Sequence, residues 1–417
     1  MPSAARRRRD GLLARVNFPL YTVQMLTSRH VLVGGGGGSS KTGVANGFEI
    51  FELSHDGNKF IAEEVIRHET GSNVVMNCCT YSDKKHLHLV AGQESHCQLY
   101  KVQTKIHSNE VIEEIGDSSH EGLRQRKKST QNNLDSNKND RKLSFTLHPF
   151  DSVQTDFLEK EPLQRVVKIN HTGSLIATGG TEGVVRIWQF PSLKLLHTLK
   201  AHSQEVDDVD FSPYENYLVS VAKDGFAILW DYNLGKEIGR LTWKHSDDVK
   251  YLYKRCRFGK VEDENVSTLF MITNPLHSSK QNSYLQKWIP SQQLLTRSVS
   301  FDESLSALAV RDDGRFVAVG TMFSGSVYIY IAFSLQKVLH IPGAHSMFIT
   351  GLQFLPVTMD SHSISSTSEA AVLSISVDNQ VCIHSLPYRK TIPLWFALII
   401  LFVMIILSFM FCAYLGI

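Results

Sequence analysis

The chain lacks an excess of charge of either sign: 43 Lys and Arg stand against 41 Asp and Glu in 417 residues, a formal net charge of +2. A protein that coats a nucleic-acid duplex needs a basic surplus that is missing here. Cysteine is sparse, with six residues and no C-x-x-C pair, which excludes a disulfide framework and a structural zinc site and reads as a reduced, cytosolic bulk. No apolar stretch long enough to be a signal peptide follows Arg6–Arg9, so entry into a membrane is expected to come from elsewhere in the chain. Two sequons, at Asn170 and Asn265, are too short a pattern to carry weight. Apolar residues themselves are plentiful: 42% hydrophobic against 20% charged is too apolar for a disordered chain.

The one long apolar run comes at the end. Residues 391–417 contain no charge, and Leu394 to Leu407 is apolar all round. Twenty-seven residues as a helix reach roughly 40 Å, enough for a hydrocarbon core of about 30 Å. Arg389 and Lys390 precede it, with Trp395 and Tyr414 near its ends. The positive-inside rule then predicts a tail anchor with residues 1–390 in the cytosol and the C-terminus in the lumen.

Within residues 1–390 a hairpin recurs: an apolar strand, a small polar turn, an alternating strand. Its clearest copies are Leu218–Trp230 and Ile176–Trp188, with weaker ones beginning near Val31, Leu89, Thr268, Val317 and Leu373. Seven copies, and a Trp188 to Trp230 spacing that matches a four-stranded blade of about 40 to 45 residues, predict an all-β, seven-bladed propeller. The copies resemble the WD-repeat family, as do Ala201-His202 and Ala344-His345. That resemblance implies that His202 with Asp224, and His345 with Asp378, are structural pairs inside blades. A catalytic His-Asp pair is disfavoured because the same pairing recurs in two blades that cannot both be an active site. An N-terminal strand near Leu12–Phe18 is expected to close the ring, removing open sheet edges. Residues 116–142, rich in Ser, Asn, Gln and charge, read as a disordered insertion, with Arg124–Lys128 read as part of a solvated loop rather than a nuclear-localisation signal.

The first hairpin is unusual. Val31–Val33 and Phe48–Leu53 are joined by fourteen residues, Gly34 to Gly47, beginning with five consecutive glycines. Three readings compete. Gly35–Thr42 nearly spells a phosphate-binding loop, but Ser40 stands where glycine is needed and a strand follows in place of a helix. A flexible insertion explains the length and leaves the glycines unexplained. A structured loop whose carbonyls curl around a monovalent cation would stiffen the segment and present Val44, Ala45 and Asn46 to a partner.

The glycine loop, Ala91–Leu99, Val153–Phe157, Ser326–Gln336 and the C-terminal apolar run together resemble the endoplasmic-reticulum exchange factors for the small GTPase that starts COPII coat assembly. The resemblance spans nearly the whole chain. It implies that the loop binds potassium, with Gly36, Gly37, Gly38, Ser39, Ser40 and Gly43 as candidate ligands, and that it opens the GTPase's nucleotide site. Asn46 matches the family's GTPase-contacting asparagine and is the candidate for the exchange-promoting residue, flanked by Val44 and Ala45. An exchange factor performs no covalent chemistry and works by binding the nucleotide-free GTPase more tightly than the loaded one. A trafficking scaffold without exchange activity and a nuclear promoter-binding regulator are the alternatives; charge balance and the apolar tail disfavour the latter.

Overall fold

The computed structural model describes residues 11–38, 43–83, 86–107, 142–200, 202–243, 249–261, 264–276, 281–358, 368–388 and 394–415. Seven four-stranded antiparallel sheets follow one another along the chain, and the innermost strand of each packs beside that of the next. This is the seven-bladed propeller that the recurring hairpins predict. Each hairpin supplies the second and third strands of one blade. In blade four these are Tyr217–Ala222 and Ala227–Asp231, and in blade three Leu175–Gly180 and Val185–Gln189. Because every blade is covered on both faces by its neighbours, such middle strands read as continuous apolar runs; Leu218, Val219 and Val221 have no exposed surface.

The last blade is completed from the other end of the chain. Leu12–Arg15 pairs antiparallel with Gln380–Pro387, with Leu12 opposite Cys382 and Arg15 opposite Gln380. Backbone bonds from Ile383 to Gly11 and from Val16 to Asn379 extend the seam. The ring closes through hydrogen bonds, as expected from its N-terminal strand, and the edge strands of an open sheet are avoided.

The His-Asp pairs sit inside blades. His202 Nδ1 lies 3.0 Å from Asp224, its Nε2 lies 2.9 Å from the Ser220 hydroxyl, and Trp230 Nε1 donates to the same hydroxyl. Burial holds the His202 ring below the usual histidine range, against the pull of Asp224. The neutral imidazole therefore donates to the carboxylate and accepts from the serine, linking strand, turn and blade entry. Blade seven repeats the arrangement with His345, Asp378 and Ser374, and His384 takes the place of the tryptophan.

The long interval in blade two is an excursion between its third and fourth strands, His96–His107 and Lys142–Gln154. Lys142, expected at the end of the insertion, instead opens the fourth strand opposite His107. The rest of 116–142 lies outside the described residues. After the propeller comes one helix, Leu394–Leu415, 22 residues without charge. Among the described residues, no helix is long and apolar enough to cross a membrane.

Candidate functional site

The glycine run divides between strand and loop. The second strand of blade one extends through His30–Gly36 and the third begins at Asn46, so the connection is 37–45 and not the fourteen residues the sequence implied. The reason is a close approach. A side chain at Gly35 would place its Cβ 1.9 Å from the Pro19 carbonyl oxygen, and Gly36 N–H donates to that same carbonyl at 3.0 Å. Glycine at 35 therefore serves the packing of the strand against the entry to blade one. The strand that follows, Asn46–His55, offers no helix N-terminus to a phosphate.

Asn46 lies at the base of the loop, paired in register with Gly36, and only 5% of its surface is exposed. Its Oδ1 accepts from Gly38 N–H at 2.9 Å, and its Nδ2 donates to the Gly38 carbonyl at 3.1 Å. Nδ2 also donates to the Gly71 carbonyl at 2.9 Å. The Asn46 carbonyl in turn accepts from Thr70 N–H. One buried amide thus ties the loop to the connection between blades one and two. Gly38 takes a φ of +85° and Gly43 one of +77°, values in the left-handed region that suit glycine.

The remaining candidates are distributed around this pin. Gly36 ends its strand, Gly37 and Gly38 begin the loop, and exposed Gly43 returns it. Ser39 and Ser40 lie outside the described residues. Val44 is half-buried against the core shared by the first and last blades, and Ala45 is half-buried beside it. Among the described residues, the oxygens around the pin are backbone carbonyls and the Asn46 amide oxygen. Among the described residues no cluster of three His, Cys, Asp or Glu could hold a metal ion. Such an uncharged oxygen set fits a large monovalent cation better than a divalent one. The sequence did not foretell the inward orientation of Asn46 or the role of Gly71, since Gly71 lies 25 positions from its partner.

The WD domain, G-beta repeat model matches residues 193–231, within blades three and four. The chain is 34% identical over 420 residues to the guanine nucleotide-exchange factor SEC12 of Mus musculus, covering 96% of this chain and 97% of the relative. The Rattus norvegicus protein of the same name matches equally well, at 34% identity over 96% and 97%. SEC12-like protein 2 of Arabidopsis thaliana is 28% identical over 51% of each chain. The solved structure of Chaetomium thermophilum Raptor is similar in fold alone, with a TM-score of 0.60, 12% identity, and coverage of 92% of this chain and 29% of that one. Near-complete coverage at this identity, on a propeller with a glycine-rich loop in its first blade, places the chain in the SEC12 family of guanine nucleotide-exchange factors.

Proposed function

We propose that this chain promotes release of GDP from, and loading of GTP onto, the small GTPase that starts COPII coat assembly, and does so at the endoplasmic reticulum membrane. The observation that carries the reading is the match along nearly the whole chain to a named exchange factor. The glycine-rich composition of the 37–45 connection supports it: backbone with little side chain at Gly37, Gly38 and Gly43 is suited to entering a nucleotide site and displacing the contacts that phosphate and magnesium make with switch segments. Exchange then follows from tighter binding of the nucleotide-free GTPase, without covalent chemistry.

Val44, Ala45 and the backbone around Gly43 are the loop's contact surface in this account, and Asn46 sets its conformation from within. Potassium is assigned to the loop, with carbonyls of Gly36, Gly37, Gly38 and Gly43 and the hydroxyls of Ser39 and Ser40 as candidate ligands. When bound, it supplies rigidity to a segment whose glycines are otherwise entropically costly to order.

Leu394–Leu415 is assigned as a single membrane span. Its 22 residues reach about 33 Å at about 1.5 Å each, against a core of about 30 Å. Alternating strand directions put the glycine loop at one end of the propeller and the exit from Gln380–Pro387 at the other. The loop therefore points away from the bilayer, toward a cytosolic partner. The test is GDP release from the GTPase on liposomes carrying the full chain, in potassium and in sodium buffer. Acceleration that weakens in sodium supports both assignments. Acceleration equal in the two buffers removes potassium, and none at all removes the function in favour of a scaffold.

A further inference from the structure

One of the motifs that the sequence singles out, Val153–Phe157, leads into the connection from blade two to blade three. By the alternation of strand directions, this connection emerges at the same end of the propeller as the glycine loop. Phe157 is 53% exposed and Leu158 beside it 41%. A single exposed phenylalanine is ordinary. Cations also lie over the exposed rings of Phe226 and Phe333; what sets Phe157 apart is that the arginine beneath it is buried.

The Arg186 side chain, 8% exposed, donates from Nη1 to the Thr155 carbonyl at 2.7 Å and from Nη2 to Glu182 at 2.8 Å. Its guanidinium lies 4.8 Å from the centre of the Phe157 ring, within cation–π range. Asp156, 1% exposed, accepts from Leu158 N–H with one oxygen and from Glu182 N–H with the other. Thr155 bonds to the Ser95 carbonyl and to Gln164. A buried arginine lies against the exposed ring, and a buried aspartate fixes the backbone that carries it to the Glu182 turn. Ordering a side chain costs binding energy, so a ring fixed beforehand is a good anchor for a partner.

The ring and the glycine loop emerge at the same end of the propeller, and each is tied to a connection of blade two. Asn46 bonds to Gly71 in the connection from blade one to blade two, and blade two's own turn at Ser95 bonds to Thr155. Resting on the exchange-factor reading, we propose that Phe157 is a second docking point for the GTPase, inserting into an apolar cleft on it while the glycine loop works at the nucleotide site. A ring that only docks contributes equally to all GTPase states, so its loss raises KM and leaves kcat unchanged.

The experiment places full-length wild type, Phe157→Ala and Phe157→Leu on liposomes and measures GDP release over a range of GTPase concentrations, with thermal midpoints recorded alongside. The expected result is a KM about tenfold higher for Phe157→Ala, kcat within about twofold, recovery of most of the loss in Phe157→Leu, and unchanged midpoints. If wild type exchanges and Phe157→Ala has the same KM, the docking assignment is overturned while the exchange-factor reading stands. A KM loss that comes with a lowered midpoint makes Phe157 structural and also overturns it. No exchange by wild type overturns the functional reading itself.

Discussion

Substituting Asn46 with alanine removes three side-chain hydrogen bonds, two to Gly38 and one to Gly71. Each is worth about 0.5–1.5 kcal/mol net, so the closed loop loses about 3 kcal/mol relative to open forms. If the GTPase engages only the closed loop, its apparent affinity falls with the closed population, up to about a hundredfold in kcat/KM at about 1.4 kcal/mol per decade. The assay is GDP release with limiting exchange factor, paired with hydrogen exchange at the Gly38 amide, which donates to Asn46. Both readouts should fall together. Asn46→Asp keeps the acceptor for Gly38 N–H but sets a carboxylate against two carbonyls, and should do at least as much harm. If exchange collapses while Gly38 protection is unchanged, Asn46 acts by touching the GTPase and the pinning argument is wrong. If neither moves, the loop's conformation does not matter.

Three further outcomes follow. Gly35→Ala forces a Cβ against the Pro19 carbonyl and should destabilise the chain by several kcal/mol in urea unfolding, beyond the usual 0.5–3 kcal/mol for a point substitution. His202→Ala breaks the chain from Asp224 to Trp230; it should cost about 2–4 kcal/mol in the same assay and leave the specific exchange activity of folded protein intact, whereas loss of exchange without loss of stability would make the pair functional. Acidification should destabilise the propeller from about pH 6.5 downward. Burial lowers His30 to about 4 and His384 to about 3, so the unfolded chain takes up protons first, and by pH 5 each histidine costs roughly 2 kcal/mol. Chemical unfolding at pH 7 and pH 5 checks this, and equal stabilities would contradict it.

The propeller was legible in the sequence because each blade's middle hairpin must be apolar on both faces, which leaves runs such as Leu218–Trp230 in plain view. Closure by the N-terminal strand followed from the need to close a ring of seven blades, and the His202 and His345 pairs from the resemblance to the WD-repeat family. The loop was legible only in part. Its glycines stand out, but what demands glycine at 35 is Pro19, on another strand entry, and only folding brings the two together. The inward turn of Asn46 depends on Gly71 in the same way. Val153–Phe157 stood out as part of the family resemblance, but the support of its ring by Arg186, 29 positions later, appears only in the fold.

One measurement bears most directly on the whole account: the rate of GDP release from the purified COPII GTPase in excess GTP and magnesium, with a catalytic amount of the full-length chain in liposomes. The account predicts an increase of at least tenfold over spontaneous release, proportional to the amount of chain and lost when 37–45 is replaced by a short turn. A rate that never rises above the spontaneous one, or that is untouched by the loop replacement, would contradict it.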